Sequence, residues 1–410
     1  MRRSVSCVAP KPPGQADRER DRGVRLARVA AACGLVAPVL VVVLTLSSAD
    51  SAAARADAAP RQAAPKAVPA RTVPQIPLVE IAATGDIALG SAPDLPPDGA
   101  RSLFAGVEHE LRGDLVLGNL ETALTDTGSS KCGPASTGCF SFRAPPSYAR
   151  RLKEAGFTML NLANNHSFDF GAAGQAETVA ALDETELPHT GRPDEIASQR
   201  VGSLRLAVLG FAPYPWQDLL DLDAAKRLVR RAAAASDVVV VTMHAGAEGN
   251  AATHVPEGPE HHSGERRGDP RAFAHAVVDA GADLVIGHGP HVLRGLEWYR
   301  GRLVAYSLGN FSSYRNFALT GPSGVGGILQ VSLGGDGSWR GGRLVPVQLV
   351  GYGTPRLDWR SASVDAVRSL SRADFGARAV RVARSGALSP PAAGSRAARA
   401  RGRRRGRAHI

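Results

Sequence analysis

The sequence predicts an α/β fold built on a buried sheet, and three observations carry that prediction. From position 78 onward, short apolar runs recur between helical stretches. Polar side chains able to bind metals stand at the carboxyl ends of those runs, the edge where open α/β sheets bind ligands. Residues 324–357 then lose their helices and read as a C-terminal hairpin segment, with Gly334-Gly335-Asp336-Gly337 as a turn.

The chain begins with a basic segment, 1–28, in which Arg18, Arg20, Arg22, Arg25 and Arg28 precede an apolar run at 29–46. At a rise of about 1.5 Å per residue that run nearly spans a hydrocarbon core of about 30 Å. Positive charge before it and Asp50 after it put the N-terminus inside and the rest outside. Residues 29–49 are therefore a transmembrane anchor or, given Ala52-Ala53-Ala54 beyond them, a cleaved signal. Either way the remainder is extracytoplasmic, held at the cell membrane or secreted. Residues 50–77, rich in Ala and Pro, read as a linker.

The folded domain is expected at 78–358. Its segments run LVEIAATGD, ARSLFAGVEHELR, DLVLGNLE, SYARRLKEAG, FTMLNLANNH, GQAETVAALDET, RLAVLGFAP, DAAKRLVRRAAAA, DVVVVTMHAG, PRAFAHAVVDAG, ADLVIGHGPH and RLVAYSLGNF, strands alternating with helices. Residues 359–410 read as one helix followed by a basic, mostly disordered tail.

Charge divides the same way. Of the net +11, residues 1–75 carry +7 and residues 361–410 carry +10, which leaves −6 for the middle. A folded part of that sign argues against nucleic acid as a partner. The basic tail suits contact with an anionic polymer or phospholipid head groups, with Ala/Arg/Gly filler as the alternative. Cys132 and Cys139 sit in the turn-rich KCGPASTGC, where a short disulfide loop can close after export; two free thiols are the other reading.

At the strand ends stand Asp86, then Asn119 and Glu121, then Asn164, Asn165, His166 and Asp169. His244 and Glu248, His288 and His291, and Asn310 follow the later runs. Carboxylates, amides and imidazoles meeting at one edge make a divalent-metal site with nitrogen and oxygen ligands. Three further histidines, His254, His261 and His262, fall in a polar stretch read as a solvated loop.

The blocks TGDIALG, GNLE, NLANNHSFDFG, VTMHAGAEG, GADLVIGHGPHV and YSLGNF resemble the CapA family of capsule synthesis, known from poly-γ-glutamate, over roughly residues 79–311. That family is similar to calcineurin-like metallophosphoesterases, so the resemblance implies a four-layer α/β/β/α sandwich with a site for divalent metal ions, Mn, Fe, Zn or Mg. It implies metal ligation by Asp86, a bridging Glu121, Asn165, His244, His288 and His291, with His166 as the catalytic acid. Asn119, Asn164, Asp169, Glu248 and Asn310 would support these residues or touch substrate. The implied role is in capsule or poly-γ-glutamate synthesis, either as a phosphoester hydrolase or as a non-catalytic assembly, export or anchoring component, with an anionic polymer or its synthesis complex as partner. Two departures stand out. Ala88 occupies the place where phosphoesterases carry the histidine of Asp-x-His, and Gly289 stands where many relatives have His.

Overall fold

The computed structural model describes residues 77–133, 138–214 and 217–392. The apolar segment at 29–49, the linker up to 76 and the basic tail beyond 392 lie outside the described residues. Among the described residues no helix is long and apolar enough to cross a membrane.

Two sheets carry the domain. The first runs, in spatial order, Thr354–Leu357, Trp339–Val350, Val325–Gly334, Leu78–Ala88, Leu115–Leu120, Met159–Asn161 and His189–Thr190, with Asn310–Ser313 pairing to one end of Leu78–Ala88. The second runs Leu296–Tyr299, Arg302–Ala305, Leu284–His288, Val238–His244, Leu204–Phe211 and Ala197–Val201. Parallel neighbours dominate the middle of both, most of them joined through helices, and the C-terminal strands pair antiparallel as the hairpin reading expects.

The period of two in each strand sorts the side chains between cores. Val79, Ile81, Ala83, Leu115 and Leu117 of the first sheet pack with Leu206, Val208, Val238, Val240, Leu284 and Ile286 of the second in one inner core. Their alternates face outward. Ala82, Val116 and Leu160 pack with Ala149, Leu152 and Leu182 of the helices Tyr148–Glu154 and Gly171–Glu184. On the far side Ala207, Leu209, Val239 and Val241 pack under Leu222–Ala235 and Pro270–Ala280. Both of these last helices start where the sequence supplies a cap: the Asp221 carboxylate accepts from the amides of Asp223 and Ala224, and Asp269 from that of Ala272.

Three expectations need correction. ARSLFAGVEHELR forms successive turns and one 3₁₀ segment, Glu108–Glu110, rather than an α-helix. Leu103, Phe104 and Val107 are held by burial in the outer core, and Gly106 packs against the Arg356 side chain. RLVAYSLGNF is two strands in different sheets, Arg302–Ala305 in the second and Asn310–Ser313 in the first. The domain also continues past 358: the helix Ala362–Phe375 and the pair Arg381–Val382 and Leu388–Ser389 bring Val364, Val367, Val380, Val382 and Leu388 into the inner core.

Candidate functional site

Register brings the polar strand ends together. Asp86 lies opposite Asn119 on one side and Asn310 on the other, and Asn119 lies opposite Asn161. In the second sheet His288 lies opposite His244. Glycines permit the close approach. A Cβ on Gly85 would run into the carbonyl of Gly309, to which the Asp86 amide donates at 2.9 Å. Gly289 has φ +106°, and its amide reaches from the second sheet to Asp86 Oδ2 at 3.3 Å.

At the centre, Asp86, Glu121 and His291 each offer a ligand atom within 4.8 Å of the others, and all three are buried. Asp86 Oδ1 accepts from Asn119 Nδ2 at 2.8 Å, and Asp86 Oδ2 lies 3.1 Å from His291 Nδ1. Asn310 Oδ1 is also 3.1 Å from that nitrogen. Two acceptors around Nδ1 hold its proton there and leave Nε2, 3.7 Å from Glu121 Oε1, to offer a lone pair. His291 adopts a left-handed φ of +58°, and Asn310 Nδ2 bonds its carbonyl.

Neither oxygen of Glu121 has a hydrogen-bond partner, nor does the amide oxygen of Asn165 or Nε2 of His288, whose Nδ1 lies 3.4 Å from Asp86 Oδ1. Buried polar atoms are rarely left so, and these are all electron-pair donors of the kind a divalent cation accepts. The residues present fit such an ion. Electrostatics point the same way. Burial pushes the Glu121 carboxyl well above its usual range, against the opposing charge of His291. Burial also opposes charge on His291, but Glu121 and Asp86 outweigh it and lift the imidazole to about 10, so the place a cation would take at Nε2 is held by a proton that the cation would displace. Asp86 stays well below the usual carboxylate range, because the imidazoles of His288 and His291 outweigh its burial.

The other expected residues surround this group. Asn164 donates to Asn119 Oδ1 and to the Leu120 carbonyl, so it braces the frame. His166 stacks on Phe142 at 4.2 Å and turns Nδ1 to Asp169 Oδ2 at 2.7 Å. Asp169 in turn pairs with Lys131 at 2.7 Å. Burial lowers the His166 pKa despite that carboxylate. Glu248 pairs with Arg267 at 2.8 Å. Ala88 is buried and brings no imidazole. A cleft of about 670 Å³ opens over the centre, lined by Asn165, His166, Glu248, Arg267, His291 and Asn310, with Lys131, Phe142 and Phe317.

Several functional candidates were not visible in the sequence. Asn161 donates to Asn119 Oδ1, Lys131 holds Asp169, and Arg267 is almost wholly buried beside His244. Only Asn161 had a signal, its place at the end of a strand. The polar stretch read as a solvated loop divides: His254 bonds Asp374, His261 is exposed, and His262 reaches the cleft 3.6 Å from Glu248. Cys132 and Cys139 are joined in a disulfide, and Cys139 lines the cleft mouth.

A family profile described as bacterial capsule synthesis protein PGA_cap matches residues 80–315, more than half of the chain and every residue of the central group. The chain belongs to this family. Of the relatives it matches, the PGA biosynthesis protein CapA of Bacillus subtilis is 32% identical over 241 residues, 55% of this chain and 61% of that protein. The capsule biosynthesis protein CapA of Bacillus anthracis is 35% identical over 185 residues, 40% of this chain and 41% of that protein. The chain thus spans about half the length of these relatives. A solved structure of a novel phosphatase from Mycoplasma pneumoniae aligns over 70% of this chain and 97% of its own, at a TM-score of 0.41 and 13% identity.

Proposed function

We propose that this PGA_cap protein acts in capsule or poly-γ-glutamate synthesis at the cell envelope, through a divalent-metal site that hydrolyses phosphoesters. The observation that carries the chemistry is Glu121: a fully buried carboxylate with no hydrogen bond to either oxygen, facing Asp86, His244 and His291. Asp86, Glu121 and His291 would hold the ion, with Asn165 Oδ1 and His288 beside them. Such an ion supplies Lewis acidity and a water of lowered pKa.

The chain's own groups do the rest. Arg267 and Lys131 in the cleft wall favour an anionic ester. His166, with Nδ1 committed to Asp169, presents Nε2 to the cleft. As the P–O bond to the alcohol breaks, Nε2 gives its proton to the departing oxygen while the oxygen of a water that has already released one proton to solvent bonds to phosphorus. The anionic ester beside it favours the protonated form against the burial that lowers its pKa. Phe142 and the buried Asp169 keep the ring in place.

An extracytoplasmic location is supported by the Cys132–Cys139 disulfide and by the charge flanking the apolar run at 29–46. Partners of matching chemistry are an anionic envelope polymer or the complex that makes it.

The test is metal content and phosphoesterase activity of the purified chain and two variants. Glu121→Ala should stay folded and lose both metal and activity. His166→Ala should keep metal and lose hydrolysis. Metal retained in full by Glu121→Ala would sink the site. Metal binding without turnover on a broad phosphoester panel would replace hydrolysis with a non-catalytic role in polymer assembly.

A further inference from the structure

Arg267 sits where a solvated loop was expected, yet its side chain is 1% exposed. The loop after His244 is clamped to bring it there. The Gly246 amide donates to the Arg267 carbonyl at 2.9 Å, the Arg267 amide to Glu260 at 2.9 Å, and the Glu260 amide to Gly268 at 2.7 Å. Arg294, also buried, fixes the Glu260 carboxylate through two bonds of 2.8 and 2.7 Å. The guanidinium is then held on three sides: Nε donates to the Gly246 carbonyl at 3.0 Å, Nη1 to Tyr214 Oη at 2.7 Å, and Nη2 to Glu248 Oε1 at 2.8 Å.

The same Nη2 stands 3.3 Å from His244 Nε2. On the ring's other side Asn119 Nδ2 faces His244 Nδ1 at 3.2 Å, and the Asn119 amide cannot turn over because its oxygen takes bonds from Asn161 and Asn164. The Asn119 donor assigns the lone pair to Nδ1 and the proton to Nε2, which therefore lies beside the guanidinium without a bond to it and 3.6 Å from Glu121 Oε1, the tautomer opposite to that of an imidazole binding metal through Nε2. A Cβ at Gly289 would lie 3.1 Å from that Nε2, so the backbone crowds it as well.

Charge agrees with geometry. Three carboxylates, Asp86, Glu121 and Glu248, border this centre with one permanent guanidinium; Glu265, 3.7 Å from Arg267 Nη1, is half-exposed and screened by water, and His291 is neutral once its Nε2 is given to the ion. Two negative charges remain, which one divalent cation cancels and a second would overshoot in a buried site. Asp169 does not enter this balance because Lys131 neutralises it.

We propose that the centre takes a single divalent cation and that Arg267 supplies the second positive charge from within the chain, with His244 held by Asn119 beside the guanidinium rather than ligating a metal. This rests on the metal-centre reading above. A phosphoryl group in the cleft would then lie between an exchangeable cation and a fixed one.

The test is manganese titration of the full-length chain after chelation, read by calorimetry and by electron paramagnetic resonance. The wild type should bind one Mn²⁺ per chain with the spectrum of an isolated ion. Arg267→Met should take a second ion and show a spin-coupled pair, while Arg267→Lys should stay at one. Glu248→Gln keeps the guanidinium and removes one negative charge, so Mn²⁺ should bind at least about tenfold more weakly, still at one per chain. That variant decides the matter if Arg267→Met does not fold. A coupled pair in the wild type, a single ion in Arg267→Met, or unchanged affinity in Glu248→Gln would each overturn the proposal. No manganese bound to the wild type would overturn the metal centre itself, a different failure.

Discussion

Two buried glutamates, Glu121 and Glu297, behave in opposite ways. Both are wholly inaccessible. Glu297, beneath the C-terminal helix, is saturated: Oε1 accepts from Arg378 Nε at 2.6 Å, and Oε2 lies 2.9 Å from His275 Nε2 and 2.7 Å from Tyr306 Oη. Burial would raise its pKa, but bonds from His275 and Tyr306 and the charges of His275 and Arg378 hold it below the usual value. Glu121, at the strand ends, has no hydrogen bond to either oxygen and its pKa is driven up by burial. Burial of charge is therefore no mark of function here. A site is marked by charge the fold buries and then leaves without a partner.

The sharpest way to break this contrast is to delete each carboxylate in turn and measure urea unfolding in EDTA. Glu297→Ala strands Tyr306 and His275, while half-exposed Arg378 regains water, so the loss should be about 3 kcal/mol. Glu121→Met, which keeps volume and removes an unpaired polar group, should be neutral or stabilising by about 1 kcal/mol. The reverse order would show that Glu121 has structural partners.

Added Mn²⁺ at about 100 times its Kd should raise the stability of the wild type and of Glu297→Ala by about 2.7 kcal/mol. Glu121→Met should gain nothing, as read by the shift of Tm. Next comes the rim of the cleft. Reduction of Cys132–Cys139 should free both thiols for labelling and cost no more than about 2.5 kcal/mol, since the closed loop is short. Labelling of both before reduction would remove the disulfide.

The smallest effect is in pH. Glu297 has a folded pKa below its unfolded value near 4.5, so the stability it contributes is complete above that pH. That contribution fades as pH falls through the lower folded value. The gap between wild type and Glu297→Gln, on the order of 1 kcal/mol, should close in that acid range. A gap that widens on acidification would reverse the assigned direction.

Much of the fold was legible because it is local. Runs such as DVVVVTMH and ADLVIGH announce strands, and stretches such as DAAKRLVRRAAAA and PRAFAHAVVDAG announce helices. The polar ends of those runs were legible too, which is why Asp86, Glu121, Asn165, His244, His288 and His291 could be grouped before any distance was known, although which of them meet most closely could not. What failed was whatever depended on a remote partner. Leu103, Phe104 and Val107 look helical by spacing but are held in turns by the outer core. Val380, Val382 and Leu388 look like the start of a tail until the inner core is there to receive them. Arg267 looks like a surface arginine because nothing within its own loop reveals the fit with His244, Tyr214 and Glu248.

The sequence by itself determined the alternation of strands and helices, the strand-end position of the polar residues and the spacing that closes the Cys132–Cys139 loop. These follow from periodicity and short chain separation, which are written in neighbouring residues. Only the tertiary structure decided that Glu297 is satisfied and Glu121 is not, that His291 frees its Nε2 while His244 turns Nε2 to Arg267, and that one chain segment crosses between sheets at Tyr306–Gly309. The reason is that a buried polar group takes its state from whichever donors and charges the fold brings within about 3–4 Å, and for these residues most of those partners lie tens to hundreds of positions away in the chain.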